Sequence, residues 1–199
     1  MVREGIHILE IVNNIEQGRD LSFPLSDPND LFCRDLPSQF QPNIGKILVT
    51  GASGYIGGRL VPELLARGYK VRVMVRGISP EYSALWPNAE VAVADAREIG
   101  QLRIALKDID TAYYLIHSLR LGPKEFASAD IQAARNFQQA AQELKIRRIM
   151  YLGGLGDIRS PLSSHLRSRA EVAGELKEGQ VPVTILRAAI IVGSGSASY

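Results

Sequence analysis

The chain of 199 residues has one cysteine, Cys33, and one tryptophan, Trp86. A lone thiol excludes an internal disulfide framework, so a packed core must hold the fold, as suits a reducing, cytoplasmic setting. Cys33 and the scattered His7, His117 and His165 lack the close spacing of metal-ligand sets, and the sequence points to no metal. Charge of one sign is also missing. The 23 Lys and Arg against 21 Asp and Glu leave a net charge of +2, too little to argue for nucleic acid or an anionic membrane. No run approaches the roughly 18 apolar residues of a membrane span. The apolar patches between Gly5 and Ile15 are broken by His7, Glu10, Asn13 and Asn14, so they do not form a signal peptide.

What is present describes a globular domain. A 46% hydrophobic and 22% charged composition over this length supports one substantial core and is short for two. Residues 1–45 read as an irregular N-terminal arm. Ile6, Leu9, Ile11, Val12 and Ile15 could form a short amphipathic helix, and Pro24, Pro28, Pro37 and Pro42 then break the chain into linker. From Lys46 to residue 199 strands and helices alternate. Strands are expected at 46–50, 70–75, 90–94, 111–116, 147–152 and 182–187, with helices near 54–67, 98–107, 123–144 and 161–178. The helix after Pro123 is the clearest, because Phe126, Ala133, Ala134, Phe137, Ala141 and Leu144 form one apolar stripe, interrupted by Asp130. Asp130 either reaches a ligand crevice or is a hydrogen-bonded structural acid. Trp86 is read as a core or edge anchor. The alternation implies an α/β fold, a doubly wound parallel sheet covered by helices on both faces. The last strand leads into Gly193-Ser194-Gly195-Ser196-Ala197-Ser198, a stretch expected near the carboxyl ends of the strands, where ligands bind in open α/β sheets.

The chemistry is carried by Lys46-Ile47-Leu48-Val49-Thr50-Gly51-Ala52-Ser53-Gly54-Tyr55-Ile56-Gly57, an apolar strand that runs into glycines three apart and then into a helix. Such a turn lets backbone N–H groups approach phosphate oxygens and aims a helix N-terminus at their charge, the arrangement of a Rossmann dinucleotide site. Leu60, Val61, Leu64 and Leu65 continue the helix, and Gly68 closes it as a left-handed cap. In this turn Tyr55 is expected to matter through its backbone, its side chain only packing. At the end of the second strand, where NAD-binding folds place a carboxylate, this chain has Val75-Arg76-Gly77 and no acid until Glu81. A guanidinium there suits the 2′-phosphate of NADP, so NADP is expected, with NAD possible if Arg76 is only a solvated strand end. Arg59 and Arg72 are weaker candidates for the same role.

These residues resemble the short-chain dehydrogenase/reductase superfamily, whose TGxxGxxG fingerprint is matched by Thr50, Gly51, Gly54 and Gly57. Tyr114-Leu115-Ile116-His117-Ser118, Tyr151-Leu152-Gly153-Gly154-Leu155-Gly156 and Val183-Thr184-Ile185-Leu186-Arg187 are similar to its atypical, NmrA-like branch. The resemblance implies an NAD(P)-binding Rossmann domain over 46–199 and a further C-terminal domain in longer relatives. It also implies cofactor contacts from Gly51, Ser53, Gly54, Tyr55, Ile56 and Gly57, from Arg76, from Asp95 and Ala96, and from Ile116, His117 and Ser118.

Active members of the superfamily use a Tyr with a Lys four residues later, and no tyrosine here has one. The corresponding helix offers His165 and Arg169 instead. A histidine beside a guanidinium tends to stay neutral near pH 7 and can take a hydroxyl proton. The bland reading is a solvated pair, or one linked to Glu171 or Glu175. Two functions follow from the resemblance: an oxidoreductase or epimerase-like enzyme, or a non-catalytic dinucleotide sensor or assembly subunit. The substrate is unidentified, and both a monomer and an oligomer are compatible with the sequence.

Overall fold

A computed structural model describes residues 39–117, 123–155 and 163–193. These form a six-stranded, all-parallel sheet in the order β3-β2-β1-β4-β5-β6. The strands are β1 (Ile47–Thr50), β2 (Val71–Val75), β3 (Glu90–Val93), β4 (Thr111–Tyr114), β5 (Arg148–Gly154) and β6 (Val183–Ala188). The described helices are α1 (Tyr55–Ala66), α2 (Glu81–Leu85), α3 (Ile99–Ala105), α4 (Pro123–Glu143) and α5 (Ser164–Lys177). The fold is thus the doubly wound Rossmann type expected. The short α2 was not anticipated, since five residues are too few for a periodic signal. The fourth strand ends at Tyr114 rather than at 116, so Leu115, Ile116 and His117 are freed from pairing at the sheet's carboxyl edge.

Period-two alternation divides the core. Ile47 and Val49 of β1 and Val71, Val73 and Val75 of β2 face one side, against Val61 and Leu64 of α1 and Trp86. Leu48, Met74 and Ala112 face the other, where Phe137, Ala134 and Ala141 of α4 pack with Val172 and Leu176 of α5. Trp86 is the core anchor expected, buried and stacked on Tyr82 with ring centroids 5.2 Å apart. The Phe126 side chain of the expected α4 stripe lies outside the described residues. Gly68 has φ +84°, the left-handed cap read from the sequence.

Several charged residues serve the scaffold. Arg72 donates to Glu90 at 2.6 and 2.8 Å and to the carbonyl oxygens of Ala105 and Lys107 at 2.9 and 2.7 Å, closing the end of α3. That engagement removes Arg72 as a cofactor candidate. Asp110 accepts two 2.9 Å hydrogen bonds from Arg147, which hold its carboxyl below the usual carboxylate range and tie β4 to β5. Of the N-terminal arm, residues 39–45 are described: Phe40 packs on Tyr69 at 5.1 Å, and the Gln41 N–H donates to the Tyr69 hydroxyl at 3.1 Å. The helix expected near Ile6–Ile15 lies outside the described residues.

Candidate dinucleotide-binding site

The sheet order reverses between β1 and β4, because the chain runs outward through β2 and β3 and returns to β4 on the other side of β1. Neighbouring connections leave in opposite directions there and open a crevice at the carboxyl ends. A cleft of about 420 Å³ occupies that place. Its floor is Gly51, Ser53 and Gly54, one side is Val75 and Arg76 with Ala94–Arg97, and the other is Leu115–His117 with Ala129 and Ala133 of α4.

The glycines are required by contact as well as by backbone angle. Gly51 has φ +62°, and a Cβ there would stand 2.8 Å from the Leu115 carbonyl oxygen. At Gly57 a Cβ would lie 2.3 Å from the Gly51 oxygen and 2.7 Å from the Ala52 Cα, so only hydrogen lets α1 approach the turn. Gly54 is the N-cap of α1, with no side-chain cap and no acidic residue in the first turn. The first helical N–H groups therefore keep the positive end of the helix for a ligand.

Thr50 fastens this turn to the opposite wall. Its hydroxyl, fully buried, donates to the Tyr113 carbonyl and accepts from the Leu115 N–H, both at 3.0 Å. Thr50→Val keeps the shape and leaves that N–H unsatisfied, with an expected stability loss of about 1–3 kcal/mol in denaturant unfolding. Tyr55 packs as expected. The Arg59 guanidinium lies 3.8 Å from its ring centroid, and Gly193, beyond β6, comes so close that a Cβ would stand 2.0 Å from the Tyr55 hydroxyl. Arg59 also donates to the Tyr55 carbonyl at 3.3 Å, which fits packing better than phosphate recognition.

On the β2–β3 side the residues expected from sequence meet, but not as independent groups. The Asp95 carboxylate accepts from the Arg97 side chain at 2.7–3.2 Å and from its backbone N–H at 2.9 Å. The Arg97 hydrogen bond is the main reason the Asp95 carboxyl falls below its ordinary range, and Arg76 adds a smaller field in the same direction. Asp95 thus lines the cleft already paired with Arg97. Two residues that the sequence reading missed shape this loop: Asn136 donates to the Ala96 and Arg97 carbonyls at 3.3 and 2.7 Å, and Gln101 accepts from the Asp95 N–H at 2.8 Å. Arg97 itself was also missed; its adjacency to Asp95 was the available signal. Arg76 stands exposed at the rim.

On the β4–β5 side, Ile116 and His117 line the cleft, while Ser118 lies outside the described residues. His165 and Arg169 are not on the cleft wall itself. The fold brings His165 beside His117, ring centroids 6.3 Å apart and edge-to-face. Burial, then Arg169 and His165, push the His117 proton affinity down to about 4. His117 also presents surface to the open cleft, and water there screens this effect, so the direction rather than the size is the useful result. His165 is lowered by burial first and by Arg169 second, while Asp130 acts in the opposite sense. Both imidazoles are therefore biased toward the neutral form at pH 7. Arg169 does not reach Glu175, which pairs with Arg135 at 2.7 Å; it donates to the Leu152 carbonyl at 3.2 Å.

Asp130 does not reach the crevice. It is 4% exposed, does not line the cleft, and its Oδ1 has no hydrogen-bond partner among the described residues. Among those residues no group of three metal-ligating side chains converges, and no helix is long and apolar enough to cross a membrane.

Comparison with known proteins agrees with this geometry. Sterol demethylase protein B of Methylococcus capsulatus is 32% identical over 114 residues, 56% of this chain and 35% of that protein. The 3-beta-hydroxysteroid dehydrogenase of Mycolicibacterium neoaurum is 29% identical over 118 residues, 55% of this chain and 32% of that one. The chain spans about a third of the length of these curated relatives. Among solved structures, the Bordetella bronchiseptica enzyme WbmG in complex with NAD superposes with a TM-score of 0.63 at 19% identity, over 74% of this chain and 54% of WbmG, a likeness of fold. The NmrA-like family model matches residues 43–194, from before the glycine turn to beyond β6, and the chain belongs to the NmrA-like family, within the atypical short-chain dehydrogenase/reductases.

Proposed function

We propose that this protein binds a nicotinamide dinucleotide with the diphosphate on the Gly51–Gly57 turn, and that it moves a hydride to or from a carbonyl or alcohol carbon. The observation that carries the reading is the turn itself: glycines whose Cβ atoms would collide with backbone, an uncapped helix N-terminus, and a cleft at the switch point of the sheet. The relatives include a protein named as a hydroxysteroid dehydrogenase and a solved enzyme described as bound to NAD, which supports the same class.

NADP is the preferred form. Arg76 and Arg97 both line the cleft, the nearby acid Asp95 is neutralised by Arg97, and a dianionic 2′-phosphate meets net positive charge there. Calorimetric titration is expected to show NADPH binding at least tenfold more tightly than NADH, about 1.4 kcal/mol, with the difference lost in Arg76→Ala. NADH affinity equal to or above that for NADPH overturns the preference; failure of both to bind overturns the site.

When bound, the nicotinamide supplies the hydride acceptor or donor. His165, set back from the wall, takes the hydroxyl proton of an alcohol through one intervening water as the C–H bond yields its electron pair to the nicotinamide and the C=O bond forms, and returns it in the reverse direction. His117, on the cleft wall beside it, orients the reacting oxygen. A second reading, a non-catalytic dinucleotide sensor, is favoured by Arg169, whose hydrogen bond to the Leu152 carbonyl ties it to the backbone where active members of the superfamily carry the lysine of the Tyr/Lys pair. Deuterium transfer from labelled NADPH to a panel of aldehydes and ketones separates the two.

A further inference from the structure

The ends of β2 and β3 lie side by side at the cleft: Val75 pairs with Val93, and the Ala94 N–H donates to the Val75 carbonyl at 2.9 Å. Arg76 follows the first strand and Asp95, Ala96 and Arg97 follow the second, and all four line the cleft. In Rossmann folds the end of the second strand stands at the ribose hydroxyls of the adenosine half. Two neighbouring strand ends thus bring one guanidinium each to that wall.

Backbone and side chains of the β3 loop are held very differently. The backbone is pinned at three points: the Asp95 N–H donates to Gln101 Oε1 at 2.8 Å, and Asn136 Nδ2 donates to the Ala96 and Arg97 carbonyls at 3.3 and 2.7 Å. Asn136 is buried on α4, and its Oδ1 accepts from Gln132 at 2.8 Å, which fixes the direction of the amide. Among the described residues the Arg97 guanidinium hydrogen-bonds to Asp95 alone, through Nε and Nη2 at 2.7–3.2 Å, and its side chain is 60% exposed. An ion pair so open to solvent is weak, because water competes for both partners. Releasing the guanidinium does not strand the carboxylate either, since Asp95 Oδ1 keeps the Arg97 backbone N–H at 2.9 Å and Oδ2 opens to a donor on the ligand.

A phosphate monoester is a stronger partner for this guanidinium than a carboxylate. It carries nearly twice the charge, and its oxygens engage the planar fork in pairs. We propose that Arg97 is a specificity-determining residue that exchanges partners: its guanidinium rests on Asp95 and turns to the ribose 2′-phosphate when NADP binds, joining Arg76 there, while Gln101 and Asn136 keep the loop backbone in place. NAD carries a hydroxyl at the same position, which offers no charge to draw Arg97 away, and the pair with Asp95 stays closed.

This inference rests on the reading of the cleft as an NADP site, and its test separates the two. The probes are ADP-ribose and its 2′-phosphate, which share the adenosine and the diphosphate and differ only at the 2′ position. By calorimetry the unsubstituted chain is expected to prefer the 2′-phosphate by about tenfold or more. In Arg97→Gln that preference is expected to fall about fivefold or more, with ADP-ribose affinity held within about twofold. Asp95→Asn removes the competing anion, and the preference is expected to rise by about twofold or more. Crystals grown with ADP-ribose are expected to show Arg97 on Asp95, and crystals grown with its 2′-phosphate to show Arg97 hydrogen-bonded to the phosphate and parted from the carboxylate. An undiminished preference in Arg97→Gln, an unchanged or lower one in Asp95→Asn, or a 2′-phosphate complex with Arg97 still on Asp95 overturns the exchange. A preference that depends on Arg76 alone removes the exchange and leaves the NADP reading standing. No preference in the unsubstituted chain removes both.

Discussion

Gly57→Ala is expected to abolish dinucleotide binding, with NADPH affinity reduced at least 100-fold, about 3 kcal/mol, in a calorimetric titration. The added carbon would stand 2.3 Å from the Gly51 oxygen and 2.7 Å from the Ala52 Cα, both backbone atoms that cannot swing aside. α1 must back away from β1, and the first-turn N–H groups leave the positions from which they meet a diphosphate. Overpacking of this kind also costs about 1–3 kcal/mol of folding stability, read from the denaturant midpoint. Gly174→Ala is the contrasting substitution. Gly174 lies inside α5 with nothing within 4 Å of its virtual Cβ, so alanine there should be neutral or raise stability by up to about 1 kcal/mol. Unchanged NADPH binding in Gly57→Ala would remove the phosphate role of the turn.

His165→Gln is expected to lower hydride transfer by at least 100-fold while NADPH affinity is unchanged, since general acid–base catalysis contributes about 10²–10⁴ and His165 is set back from the cleft wall. The pH dependence follows from the direction of its shift. Burial and Arg169 hold His165 below the ordinary histidine value of 6.5, so the neutral, proton-accepting form prevails at pH 7. Alcohol oxidation should be level near neutrality and fall as pH drops through that lowered value. Carbonyl reduction, which needs the protonated ring, should gain in relative terms over the same interval. Both profiles are measured by nicotinamide absorbance, and a glutamine variant that retains the wild-type rate removes His165 from the chemistry.

Legibility differed from one part of the site to another. Thr50, Gly51, Gly54 and Gly57 were readable because their requirement is local: a positive φ at Gly51 and a close helix approach at Gly57 depend on a dozen consecutive residues. Alternation of apolar runs with amphipathic segments likewise gave the parallel sheet, since a strand buried on both faces must be apolar throughout. The end of β4 was read two residues late because Leu115 and Ile116 are apolar in the same way as the strand; they pack as the cleft wall instead of pairing. The partners of Arg72 and Asp95 were not legible for a different reason. Each is a charge whose partner, Glu90 for one and Arg97 for the other, depends on how the second and third strands and their loops lie together.

By itself, then, the sequence determined the glycine turn, the helix it starts and the layered α/β architecture, because backbone sterics and hydrophobic periodicity act over short stretches. Only the tertiary structure decided that Arg97 pairs with Asp95, that Arg169 serves the Leu152 carbonyl, that His117 meets His165, and that Asp130 is buried. Those outcomes depend on electrostatics and burial between elements far apart in the chain, and such energies have no value until folding sets the distances and removes the water.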